Sequence, residues 1–294
     1  MNKLNKPNFM IIGAMKAATT SLYTYLIQHP DIFMTSIKEP KFFNNLSKDP
    51  LLKPEGKRFN KITTFDQYYS LFSKVNGETA IGEASPSYLF DEKCARLISK
   101  SLPKVKLIVI LRQPVERAYS NFLHSRRSGK ENNSSFEIAL QEINNNPKKH
   151  FYIEKGFYTE QLTRYFDLFP HQNIKILLFE DVTKNPIEAS KEVFKFLNVD
   201  ADFVPKIKIQ NQSGLPRGIL GWLLMKTRYY NLLPNITFSS FLPPFVIKYI
   251  FKKVYKKPPQ LDVTLKKQIT KKYYHREIIE LEKLISRDLR HWIN

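Results

Sequence analysis

The 294-residue chain has a single cysteine, Cys94, which excludes an internal disulfide and a thiolate metal site and fits a reducing compartment. Its six histidines, at 29, 124, 150, 171, 275 and 291, show neither HxH nor HExxH spacing, so no zinc motif is legible. The apolar run over 9–15 is broken by Lys16 and is too short to span a bilayer. No small-residue cleavage site follows it, and the expected location is the cytoplasm. Acids are scarce as well: 27 Asp and Glu stand against 47 Lys and Arg, a net charge of +20. Residues 248–276 hold nine lysines and one arginine against the single acid Asp262. Such a field attracts polyanions, whether nucleic acid, acidic glycan, anionic lipid or a phosphorylated cofactor, and a solvated lysine-rich face is an equal alternative.

What is present points to a packed globular chain, with 42% hydrophobic and 13% aromatic residues. Apolar β-type runs at 8–13, 79–82, 105–111 and 174–179 alternate with helical patterns at 19–28, 65–72, 114–125, 136–144, 159–168, 186–197 and 265–290. That alternation predicts an α/β fold with a central, mainly parallel sheet flanked by helices, in one domain over 1–294. Residues 48–64 and 125–135 are polar and loop-like. Residues 218–260 mix large apolar side chains with basic clusters, and prolines at 234, 243 and 244 forbid one continuous helix there. A helical lid or insertion is expected, touching membrane or a lipid-linked substrate, with a buried helical subdomain as the alternative.

Two strand-to-helix junctions carry the chemistry. In "GAMKAATTSLYTYL" an apolar strand ends at Gly13, and Lys16, Thr19, Thr20 and Ser21 lead into a helix. A helix start offers free backbone N–H groups and a positive dipole end, so the segment has the makings of an oxyanion cradle. It is not a Walker A loop, because GxxxxGK[ST] counted from Gly13 would place glycine at 18 and lysine at 19, where Ala18 and Thr19 stand. No acid that would hold magnesium follows the later strands, which argues against metal-assisted phosphoryl transfer. A sulfuryl group carries less charge, and one lysine with a helix N-terminus can stabilise its transfer. A plain helix cap remains the structural alternative for this segment alone.

The second junction is "VKLIVILRQPVERAYSNF" at 105–122. A strand ends at Arg112, Pro114 suits the first turn of a helix, and Ser120 lies about two turns on. Arg112 can fork onto a phosphate to which Ser120 donates, unless Arg112 simply pairs with Glu116.

Taken together, the two segments resemble the 5′-phosphosulfate loop and the 3′-phosphate motif of the sulfotransferases that use 3′-phosphoadenosine 5′-phosphosulfate (EC 2.8.2). The carbohydrate branch typified by heparan sulfate sulfotransferases, with its bacterial members, is the most similar. "KEPKFF" (38–43), "GEASPSYLF" (82–90), "GFYTEQLTRYFDLF" (156–169), "ILLFEDVTKNP" (176–186) and "LISRDLRHW" (284–292) carry the likeness further. It covers about 8–217 and the final helix, whereas 218–260 has no counterpart. The resemblance implies a P-loop-like three-layer fold and metal-independent, in-line transfer of a sulfuryl group to a glycan hydroxyl, leaving adenosine 3′,5′-bisphosphate.

It also implies roles. Lys16 would contact the bridging oxygen and the sulfonate; Gly13, Ala17, Ala18, Thr19, Thr20 and Ser21 would surround the 5′-phosphate; Arg112 and Ser120 would hold the 3′-phosphate. Glu39 matches the acid that the carbohydrate branch uses as base, with Lys38 and Lys41 beside it to position it or to bind an acidic acceptor. Glu83 is the rival base, and Ala84 follows it where the family often has lysine. Ser85 and Tyr88 are expected at the acceptor cleft, although Tyr88 is also suited to the core. Asn211, Ser213 and Arg217 in "NQSGLPRG" match the segment that closes over the nucleotide, and His124 is expected to pack or cap. The expected partner is an anionic glycan or glycolipid rather than nucleic acid, since no nucleic-acid reading module is present. A lipid or small alcohol acceptor and a nucleotide kinase on a related fold are the alternatives.

Overall fold

A computed structural model describes residues 5–47, 62–143, 151–207, 215–216, 255–256 and 258–293. Five parallel strands form the centre: β1 (Phe9–Gly13), β2 (Ile32–Met34), β3 (Ala80–Ala84), β4 (Lys106–Leu111) and β5 (Ile174–Leu178), in the order β2-β3-β1-β4-β5. All five residues of β1 and the last five of β4 are buried, because helices cover both faces of a parallel sheet and leave no polar side. Gly82 in β3 pairs with Phe9, and a Cβ there would lie 2.3 Å from the Phe9 ring. Gly13 is small for a similar reason: a Cβ would fall 2.5 Å from Leu89.

The helices are α1 (Thr19–Leu26), α2 (Phe42–Ser47), α3 (Phe65–Ser70), α4 (Cys94–Ser101), α5 (Pro114–Arg127), α6 (Phe136–Ile143), α7 (Tyr158–Phe166), α8 (Phe179–Lys184), α9 (Pro186–Leu197), α10 (Val263–Ile269) and α11 (His275–Ile285). Among the described residues none is long and apolar enough to cross a membrane. The three-layer α/β expectation is met.

Several elements depart from the sequence pattern. Strand β2 is only three residues long, and α2, α4 and α8 only six to eight, too short for a period to register. Phe179 starts a helix rather than ending a strand. The single helix expected over 265–290 is two helices joined by a π turn, Thr270–Tyr274, which turns Tyr274 fully inward so that its hydroxyl donates to the Ile153 carbonyl at 2.7 Å. It then stops at Ser286, in the left-handed region with φ 51°. A short antiparallel pair, β6 (Leu215–Pro216) with β7 (Tyr255–Lys256), joins the two ends of the intervening segment. Most of 218–260, most of 48–64, and Asn211, Ser213 and Arg217 lie outside the described residues.

Strand β1 sits between β3, which comes later in the chain, and β4, so the connections leave its carboxyl end in opposite directions. In open α/β sheets that switch point is where ligands bind. Gly13 and Arg112 are the residues at that crevice.

Candidate active site

The segment leaving β1 is strained where a glycine-rich loop would be relaxed. Lys16 and Ala18 both take positive φ, 71° and 65°. Alternating left-handed residues turn successive N–H groups to one side, the geometry of an anion-binding nest. Ala18 is the N-cap of α1 and no side chain caps the helix start; Ser21 N bonds the Ala18 carbonyl at 2.9 Å, and the Thr19 and Thr20 amides are left for another acceptor. Two more positive-φ residues, Glu39 at 59° and Lys41 at 53°, lie in the neighbouring loop. Such backbone persists where packing over-determines it, and four instances bear on one crevice.

The Lys16 ammonium has no hydrogen-bond or ion-pair partner among the described residues. Its pKa falls to about 8, first through burial and then through Arg127, Arg112 and Lys38, while Glu39 opposes the shift. A partly buried ammonium crowded by cations is poised for an anion. Lys38 Nζ donates to Thr20 Oγ1. Burial also lowers the pKa of Lys38, and Glu39 again raises it.

Arg112 leaves β4 and reaches across to the same loop, its NH1 donating to the Lys16 carbonyl at 3.3 Å. The guanidinium stacks 4.2 Å above the Phe179 ring and meets Glu116 at only 3.5 Å. Glu116 is held more closely by Lys266 of α10, at 2.7 Å. Arg112 Nε is buried with no partner. Burial lowers the arginine's pKa, and Glu116 and Tyr158 partly offset this. The alternative of a simple Arg112–Glu116 pair therefore accounts for little of the guanidinium's donor capacity. Tyr158 fixes the strand end by donating to the Arg112 carbonyl at 2.9 Å.

Helix α5 begins as the sequence predicts. Gln113 is the N-cap, accepting from Glu116 N at 2.8 Å, and Pro114 opens the first turn. Ser120, His124 and Arg127 follow at helical spacing on one face. His124 accepts from Arg127 at 3.3 Å. Its pKa drops to about 4, first through loss of solvation and then through the cations Lys16, Arg127, Lys130 and Lys41. It is neutral at physiological pH, and its electrostatic coupling to Lys16 puts this face of α5 against the loop. Ser120 lies half-buried on the same face.

Glu39 keeps 35% of its side-chain surface and approaches Lys41 Nζ at 3.4 Å. Glu83, Ser85 and Tyr88, expected at the acceptor cleft or as a rival base, show no solvent surface at all. They stand behind the Glu39 loop. The sequence gives no role to Arg127, Lys266, Phe179 or Tyr158. Arg127 was findable by its helical spacing from Ser120, whereas Lys266 is 150 residues from its partner and left no local signal.

Comparison with known proteins decides the family. The sulfotransferase domain description matches residues 6–216, well over half of the chain. The chain belongs to the sulfotransferase domain family. A solved sulfotransferase from Alicyclobacillus acidocaldarius superimposes on this sulfotransferase with a TM-score of 0.75 at 29% identity, covering 99% of this chain and 100% of that one. The human bifunctional heparan sulfate N-deacetylase/N-sulfotransferase 3 is 28% identical over 209 residues, 66% of this chain and 22% of that protein. Mouse carbohydrate sulfotransferase 15 is 27% identical over 248 residues, 66% of this chain and 44% of that protein. The sulfotransferase thus aligns with less than half the length of these two curated relatives.

Proposed function

We propose that the chain transfers a sulfuryl group from 3′-phosphoadenosine 5′-phosphosulfate to a hydroxyl of an anionic glycan, with Glu39 as general base. The observation that carries this reading is the pair of cations at the ends of adjacent strands. Lys16 is unpartnered and largely desolvated, and Arg112 has a buried, orphaned Nε and is tied to the Lys16 backbone. Two anion sites linked through one loop suit a nucleotide phosphorylated at both ends, and the unpaired donors fit that group.

When bound, the donor supplies the sulfuryl group. The uncapped amides of α1, with Thr19, Thr20 and Ser21, would hold its 5′ end, and Arg112 with Ser120 its 3′-phosphate. Lys16 would offset charge that develops on the leaving oxygen, a role that needs its ammonium form. Glu39 would take the acceptor's proton, with Lys38 and Lys41 orienting it. Lys38, Lys41, Arg127 and Lys130 make the surrounding field positive, which favours an acidic acceptor such as a uronate-containing or sulfated glycan. The carbohydrate-directed names of the relatives support the same acceptor class.

The test is incubation with isotopically labelled sulfate donor and host glycan extract, in the presence of a chelator. Labelled polysaccharide is expected. A requirement for divalent metal, or transfer from ATP instead, would point to a kinase.

A further inference from the structure

Glu83 closes the buried end of β3, and its carboxylate is taken up by three hydroxyls. Ser85 Oγ donates to Oε2 at 2.7 Å, while Tyr88 and Tyr68 donate to Oε1 at 2.8 and 3.0 Å. Two of those hydroxyls also accept. The Lys41 amide donates to Ser85 Oγ at 3.1 Å, and the Phe43 amide to Tyr88 Oη at 3.4 Å. A backbone N–H can only donate, so each hydroxyl must turn its lone pair outward and its single proton inward. Glu83 is the acceptor that receives those protons. Its acceptor oxygens thereby fix the polarity of both hydroxyls.

The segment held in this way is the one bearing Glu39. The Glu39 amide bonds the Ala84 carbonyl at 3.1 Å, so residues 39, 41 and 43 are each tied down through their N–H, while Pro40 has none to offer. Glu39 and Lys41 sit in left-handed backbone that relaxes unless held. Farther along, buried Asp91 secures α2 by accepting from Asn44 and Ser47.

We propose that Glu83 is a positioning residue: through Ser85 and Tyr88 it latches the Lys41 and Phe43 amides and so sets the placement of the Glu39 carboxylate. This rests on Glu39 being the base. Tyr68 provides an internal control, because it donates to the same carboxylate but bonds no loop amide, and its ring stacks on Phe42 at 4.3 Å with or without its hydroxyl.

The experiment compares full-length Glu83→Gln, Ser85→Ala, Tyr88→Phe and Tyr68→Phe proteins. Three readouts are taken: amide hydrogen exchange at Lys41 and Phe43, calorimetric affinity for adenosine 3′,5′-bisphosphate, and labelled-sulfate transfer to desulfated heparin. Ser85→Ala should speed exchange at Lys41, Tyr88→Phe at Phe43, Glu83→Gln at both, and Tyr68→Phe at neither. The three latch variants should lose about ten-fold or more in kcat while bisphosphate affinity stays within about two-fold, as for a displaced catalytic group. Tyr68→Phe should keep kcat within about three-fold, as expected of a hydroxyl outside the latch. Unchanged exchange, faster exchange with unchanged kcat, or equal losses in Tyr68→Phe and Ser85→Ala would each overturn the proposal. Should Glu83→Gln fail to fold, the two single-oxygen deletions decide it. A wild-type chain that binds bisphosphate but sulfates nothing contradicts the reading of Glu39, while the exchange pattern still decides the latch.

Discussion

The two halves of the crevice are built on opposite principles. On the donor side, Lys16 and Arg112 are cations left short of partners, held by strained backbone and an aromatic ring. On the proposed acceptor side, the buried Glu83 carboxylate behind the Glu39 loop is met by three hydroxyl donors. In the proposed reading, the first half keeps unsatisfied charge for the donor, and the second uses hydrogen bonds to hold a loop still. Ligand binding and proton removal should therefore respond to different mutations.

The largest expected separation is at Glu39. Glu39→Gln should lower turnover by about 10²–10⁴-fold, the range of a general base, with bisphosphate affinity unchanged by calorimetry. A loss of affinity instead of turnover would merge the two halves. Next is Glu83, whose pKa is raised to about 7, chiefly by burial and also by Glu39, against the three hydrogen bonds that lower it. A carboxyl with a raised folded-state pKa releases its proton first in the unfolded chain. Stability is then fullest below about 4.5 and falls as pH rises towards 7, by about 3 kcal/mol for that shift. Denaturant midpoints of wild type should drop over that window relative to Glu83→Gln; parallel profiles would show that Glu83 is not protonated in the fold.

A smaller effect concerns Lys16, with its pKa near 8. With the ammonium as the proposed ligand of the anion, bisphosphate affinity should weaken above pH 8, approaching ten-fold per pH unit. The slope should vanish in Lys16→Ala. The smallest is Phe179→Ala, which removes the ring beneath Arg112 and should weaken bisphosphate binding by a few-fold, as expected of one cation–π contact. No change would mean that the ring does not orient the guanidinium.

The same contrast explains what the sequence disclosed. Donor-side residues are close in sequence to strand ends and helix starts, so "GAMKAATTSL" and "LRQPVERAYSNF" present their chemistry as short motifs. Long strands and helices with clear periods were equally legible. The acceptor side depends on pairings across the fold, such as Tyr68 to Glu83 and Asn44 to Asp91, which no local pattern encodes. Glu83 is a case in point: its residue type and motif suggest a base, whereas its full burial among three hydroxyls shows only in the fold. Phe179 was hidden because it looks like the last residue of an apolar strand.

The most direct measurement is a calorimetric cycle. Adenosine 3′,5′-bisphosphate and adenosine 5′-monophosphate are each titrated into wild type and Arg112→Ala. Wild type should bind the bisphosphate about 10- to 100-fold more tightly, as expected for charge-assisted hydrogen bonds to the second phosphate, and Arg112→Ala should erase that preference. Equal affinity for both nucleotides in wild type, or a preference that survives the substitution, would contradict a donor held at Lys16 and Arg112 together.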